Sequence, residues 1–140
     1  TLRRVLRWET TVVQVRQLKT YATIGYRCTY TARGPIQTAV LPVGYADGYR
    51  YQLSNNADVL IRGRRCPVLG AVSMDQIVVD VTALPHVSCG DIATLIGTDG
   101  ALEITAEELA ERAGTIPYDI LTGIGMRVFR EYVHDKTEKA

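Results

Sequence analysis

This chain has little surplus charge and little cysteine. Sixteen Lys and Arg face fifteen Asp and Glu, a formal net charge of +1. That balance gives no electrostatic reason to expect nucleic acid or an anionic membrane surface as partner. No apolar run approaches the roughly 18 residues a membrane span needs, and no signal-peptide pattern follows the start. The chain opens Thr1-Leu2-Arg3-Arg4 without an initiator Met, from which removal of something upstream is expected. Cys28, Cys66 and Cys89 are an odd number at wide spacings, and none forms a C-x-x-C pair. With His86 and His134 outside ligand spacing, the pattern argues against a zinc or other metal site. Free thiols, buried or half-buried, in a reducing cytosol are the expectation. No Ser/His/Asp arrangement and no phosphate-cradling glycine loop occurs.

The 140 residues, 46% hydrophobic, suffice for one globular domain with a core of its own. The first half reads as strands. Residues 10–18 are rich in β-branched side chains and alternate from Val13 onward. Residues 28–32 and 36–43 are two further short runs around the turn Arg33-Gly34-Pro35. Val59-Leu60-Ile61 and Cys66-Pro67-Val68-Leu69 flank Arg62-Gly63-Arg64-Arg65 as a hairpin whose second strand carries an edge-type proline. Residues 77–81, 92–96 and 126–133 complete the strands. Thr105-Ala106-Glu107-Glu108 predicts a capping box opening a helix that Gly114 ends, and Pro117 a short helical turn through Leu121. The fold class is therefore mostly β, a small antiparallel barrel-like domain with one or two short helices. A sandwich is the alternative.

Six of the eight tyrosines fall at 21, 26, 30, 45, 49 and 51. Tyrosine suits strands, so a wet sheet face accounts for most of them. Tyr26 and Tyr45 differ in following Gly25 and Gly44, and glycine lets a backbone bend or approach another group closely. Gly44-Tyr45-Ala46-Asp47-Gly48 is either a turn in which Asp47 bonds its own backbone or a loop that aims a phenol at a pocket. Val72-Ser73-Met74-Asp75-Gln76 precedes an apolar run. Met74 has no acid–base chemistry, so it would act through its backbone N–H. Tyr118, after Thr115-Ile116-Pro117, lies near a helix start, where an anion is well received. A phenol with a pKa near 10 is a poor base unless its surroundings change that.

Taken in order, Ile24-Gly25-Tyr26-Arg27-Cys28-Thr29-Tyr30-Thr31-Ala32, Leu41-Pro42-Val43-Gly44-Tyr45-Ala46-Asp47-Gly48-Tyr49, Ser73-Met74-Asp75-Gln76 and Thr115-Ile116-Pro117-Tyr118 resemble the C-terminal domain of alanine racemase. The resemblance covers residues 8–133. It leaves 1–7 as a remnant of a linker or helix from an N-terminal barrel, and 134–140 as a polar tail. It implies a cytoplasmic, pyridoxal 5'-phosphate-dependent isomerase that interconverts L- and D-alanine for peptidoglycan synthesis. It also implies a homodimer in which this domain docks over the partner subunit's N-terminal (β/α)8 barrel. In this sequence Tyr26 resembles the catalytic tyrosine, exchanging the substrate α-proton on one face while a barrel lysine serves the other. Tyr45 resembles a tyrosine at the mouth of the site. Met74, through its N–H, resembles a contact to the substrate carboxylate, Asp75 an access-channel residue, and Tyr118 the phenol on the cofactor phosphate.

Two departures stand out. Many family members carry arginine where Ala71 stands, which keeps open a racemase acting on serine or on a broader set of amino acids. The Schiff-base lysine that would carry the cofactor is missing: Lys19, Lys136 and Lys139 are the only lysines, and none has a pocket-like context. The isolated chain is thus expected to be inactive. From another class, a β-barrel binding module with tyrosines as stacking platforms is the rival.

Overall fold

The computed structural model describes residues 3–134. Ten strands, two helices and three single 3₁₀ turns follow one another as β1 (Trp8–Thr11), β2 (Gln14–Leu18), β3 (Thr23–Ile24), β4 (Tyr30–Thr31), β5 (Ile36–Leu41), β6 (Asp58–Ile61), β7 (Arg64–Leu69), β8 (Ile77–Asp80), β9 (Ile92–Asp99), β10 (Leu102–Ile104), α1 (Ala106–Ala113) and α2 (Pro117–Gly123). The 3₁₀ turns are Tyr26–Cys28, Tyr45–Asp47 and Tyr51–Leu53. The main sheet runs β1-β9-β6-β7-β8-β5-β2, with β10 added to β9, and β3 pairs with β4 separately. Every pairing is antiparallel.

The mostly-β class with two short helices is as the sequence predicts. Among the described residues no ladder joins the two ends of the path, so the sheet is not closed into a barrel. Its two end strands are nevertheless neighbours in the chain. Between β1 and β2, the Val12 N–H donates to Asp91 O and the Val13 N–H to Val40 O. The single strand expected over 10–18 therefore breaks where it leaves one neighbour for another, a strand-switching corner.

The core is one cluster. Val59, Leu60 and Ile61 are buried in succession because β6 lies between β9 and β7 with both faces covered. Trp8 meets Tyr49 edge-to-face at 6.1 Å, and Leu109, Ala110 and Ile120 bring both helices onto the cluster. Full burial of a side chain such as Leu109 stabilises by about 1.5–3 kcal/mol. The Thr105 hydroxyl caps α1 by accepting from the Glu108 N–H at 3.0 Å. The reciprocal half of the capping box is not made, because the Glu108 carboxylate accepts from Arg65 instead.

Several expected elements differ. Over 28–32 only Tyr30–Thr31 is strand, because Cys28 (φ 51) belongs to the preceding 3₁₀ turn. The hairpin is present, but β7 is an interior strand. Pro67 sits opposite Asp58 where pairing with β6 ends, and pairing with β8 begins only at Val68, so its missing N–H is tolerated. β9 runs through Gly97 to Asp99 and turns back as β10. Residues 126–133 form no strand despite their alternation. Instead the Arg130 guanidinium donates to the carbonyls of Ile124, Gly125 and Val128, which folds that stretch on itself. Of the cysteines only Cys66 is buried; Cys28 and Cys89 are exposed, and all three are free. Burial pushes the Cys66 thiol up to about 11, with Asp80 and Asp58 adding to it. Among the described residues no helix is long and apolar enough to cross a membrane.

Candidate active site

The stretch 70–75, between β7 and β8, is where the separate motifs meet. Residues 44–48 form the first contact. The Asp47 carboxylate accepts from the Gly44 N–H at 3.0 Å, and the Asp47 N–H donates back to Gly44 O. This is the self-bonded turn the sequence allows. The turn lies directly on the loop after β7: the Tyr45 and Ala46 N–H groups donate to the carbonyls of Ser73 and Met74, both at 3.0 Å. A methyl at Gly44 would fall 2.1 Å from Ser73 O and 2.5 Å from the Met74 carbonyl carbon, so only glycine admits this approach. The Met74 carbonyl is thereby occupied, while its N–H has no acceptor among the described residues. Ser73 closes its own loop through Gln76, in both directions.

The Tyr26 turn makes the second contact. Gly25, at φ 82, leads into it, and a methyl there would lie 2.8 Å from the Ala71 N. Within the turn, Arg27 and Cys28 both hold positive φ, at 65 and 51. Such conformations cost on the order of 1–3 kcal/mol each and persist where the surroundings impose them. None of the turn's three residues is buried. The Arg27 guanidinium lies 5.7 Å from the centre of the Tyr26 ring.

Arg127 makes the third, and no motif in the sequence marked it. Its Nε donates to Asp47 at 3.0 Å and its Nη2 to Asp75 at 2.8 Å, so one guanidinium joins the two loops. The bonds to Asp75 and Asp47, in that order, raise the Arg127 pKa above its ordinary value.

Tyr118 is reached more indirectly. It lies in the first turn of α2 beside Asp119, and no side chain caps that turn. Asp119 accepts from the Thr115 hydroxyl at 2.8 Å and pairs with Arg50 at 3.0 Å. The far end of α2 packs on the turn: a methyl on Gly48 would lie 2.2 Å from Gly123 O. The structure thus links Tyr118 to the site through α2.

Tyr26, Tyr45, Met74 and Tyr118 are 74%, 47%, 52% and 75% exposed, and Asp75 is exposed too. All five are therefore open to solvent. Two surface grooves lie elsewhere, one among Asn56, Asp58, Arg65, Glu108, Glu111 and Arg112, the other around Cys66 and Pro67. The first is an ion network that fastens α1 to the hairpin. Tyr49 is fully buried beneath it and its hydroxyl has no partner. Burial first, then Asp58, pushes the Tyr49 phenol pKa well up, which marks it as core rather than as an acid–base group.

Comparison with known proteins gives a uniform result. The sequence profile described as "Alanine racemase, C-terminal domain" matches residues 5–132. An alanine racemase of Symbiobacterium thermophilum is 54% identical over 127 residues, covering 91% of this chain and 34% of that protein. The alanine racemase of Streptomyces coelicolor A3(2) superposes with a TM-score of 0.90 at 37% identity, over 96% of this chain and 35% of that one. That of Bartonella henselae, solved with covalently bound pyridoxal phosphate, gives 0.84 at 36% identity over 91% and 34%. The chain spans about a third of the length of the curated relatives it matches.

Proposed function

The chain belongs to the alanine racemase C-terminal domain family, and from that premise we propose that it supplies one half of the active site of a longer racemase acting on alanine. The observation that carries this reading is the convergence on residues 70–75. A phenol turn (Tyr26), a second phenol turn (Tyr45), a backbone donor (Met74) and a carboxylate (Asp75) come from three distant parts of the sequence, and close backbone contacts fasten them along one segment.

The fit to pyridoxal 5'-phosphate is that of one wall. The Tyr118 phenol, exposed on α2, suits a hydrogen bond to a phosphate oxygen. The one lysine among the described residues, Lys19, lies just after β2 and is in none of the motifs that make up the site. When bound, the cofactor supplies the electron sink that lets an α-proton leave. Within this chain, the Tyr26 hydroxyl holds and returns that proton on one face of the substrate carbon. The Met74 N–H would donate to the substrate carboxylate, Tyr45 and Asp75 would line its approach, and Tyr118 would hold the phosphate. A group on the opposite face, and the covalent anchor of the cofactor, would come from an N-terminal (β/α)8 barrel. We place residues 8–133 as the docking domain, reaching the partner subunit's barrel in a homodimer. The exposed phenols, with Ile116, Leu121, Met126 and Phe129, suit such a covered face. D-alanine for peptidoglycan, made in the cytoplasm, is the corresponding role.

A racemase for serine is the second reading. Ala71 keeps it and a broader specificity open, because it stands where many family members carry an arginine at the mouth of the site. The test is a racemisation assay of the 140-residue chain and of the full-length protein on L-alanine and L-serine with added cofactor. The expected result is turnover only in the full-length protein and faster on alanine. Turnover by the 140-residue chain would refute the half-site reading, and faster turnover on serine would select the second substrate.

A further inference from the structure

The Tyr26 turn is strained, exposed and without buried residues of its own, so something outside it must hold it in place. We propose that Asn55 is a positioning residue that sets the Tyr26 phenol, by fastening both ends of its turn to a single point of the fold. The proposal rests on the reading of Tyr26 as the proton-exchanging group.

Asn55 follows the 3₁₀ turn Tyr51–Leu53, far in sequence from both segments it joins. Toward one side it grips Gly70 twice: its backbone N–H donates to Gly70 O at 3.1 Å, and its Oδ1 accepts from the Gly70 N–H at 2.7 Å. Gly70 is the residue on which the N-terminal end of the Tyr26 turn rests, since a methyl at Gly25 would come within 3.3 Å of its Cα. Toward the other side, Asn55 Nδ2 donates to the Thr29 hydroxyl at 3.2 Å, and Thr29 is the residue that closes the turn. The contacts form a circuit, Gly25 to Gly70 to Asn55 to Thr29, with Tyr26, Arg27 and Cys28 spanning it. The neighbouring Ser54 strengthens the same anchor, its hydroxyl accepting from the Val72 N–H at 2.8 Å. Asn55 itself holds φ 51, a left-handed value that asparagine tolerates better than most residues. Glycine would tolerate that backbone as well, so the amide is what distinguishes asparagine here.

This suggests variants that separate the side chain from the backbone. Asn55→Gly keeps the left-handed conformation and removes the amide. Thr29→Val removes the nearer hydroxyl acceptor and leaves only the Thr29 carbonyl, at 3.5 Å, and Thr29→Ser retains the hydroxyl. In the full-length enzyme, Asn55→Gly and Thr29→Val should each lower turnover about tenfold, within the range a small misplacement of a catalytic group costs. Thr29→Ser should restore near-normal rates, and the double variant should be no worse than Asn55→Gly. A second readout is the kinetic isotope effect with α-deuterated L- and D-alanine. It should rise for the one enantiomer whose α-proton faces Tyr26 and stay unchanged for the other. A third needs no cofactor: amide exchange over residues 25–29 should quicken in both variants. Unchanged exchange and turnover in Asn55→Gly and Thr29→Val would overturn the proposal, as would an equal isotope change for both enantiomers, which marks a general structural loss. Near-normal turnover in Tyr26→Phe would instead refute the reading of Tyr26 beneath it.

Discussion

Single residues in this domain act chiefly by what they allow two backbones to do. Gly44 has an extended backbone, with φ −155, that any residue adopts. Its glycine is required by proximity, not by conformation. Gly44→Ala must push the 44–48 turn off Ser73 and Met74, breaking the N–H bonds of Tyr45 and Ala46. Denaturant unfolding should show a loss of at least about 2 kcal/mol, as overpacking of a backbone contact implies. An unchanged midpoint would mean that the loops separate freely. The sequence made Gly25 and Gly44 legible as unusual because each precedes a tyrosine. It did not reveal what each approaches, since contacts with residues 70–74 leave no local pattern. Asn55 and Arg127 were invisible for the same reason. An asparagine in a polar loop and an arginine in an alternating, strand-like stretch are ordinary in composition, and their roles come from partners distant in sequence.

Among elements, those with local signals were readable. The hairpin of β6 and β7 follows from its apolar runs and glycine turn, and α1 from its cap and its terminal glycine. Elements defined by non-local pairing were not. β10 exists because β9 passes Gly97 (φ 131) without breaking, and residues 126–133 alternate like a strand yet find no partner. The capping box failed in half because a stronger acceptor role was available: Glu108 takes both guanidinium donors of Arg65, at 2.9 and 2.8 Å. That bond to Arg65 is the main cause holding the Glu108 carboxyl below its usual range. A carboxylate with a lowered folded pKa stabilises above its unfolded value, near 4.3, and that contribution is lost as pH falls through the folded value. Glu108→Gln should therefore lower stability at pH 7 by no more than about 1 kcal/mol, solvent screening included. In melting curves from pH 7 to 3, the gap between the variant and the parent should close below pH about 4. A gap constant with pH would show that packing, not charge, ties α1 to β7.

For the whole molecule, the well-packed core contrasts with candidate site residues that are all open to solvent. Its core is complete, with the strand-switching corner between β1 and β2 drawing the ends of the sheet path together. Tyr26, Tyr45, Met74 and Tyr118 are exposed around it. The mostly-β class was legible because β-branched runs and glycine turns report it directly. The open sheet path in place of a barrel was not, since short strands leave closure undecided. The most direct measurement is turnover of Tyr26→Phe in the full-length enzyme, followed in both directions alongside cofactor absorbance. The expected result is a loss of about 10²–10⁴-fold, the usual worth of a positioned proton-transfer group, with the cofactor still bound. Near-normal rates in both directions would contradict the role assigned to Tyr26.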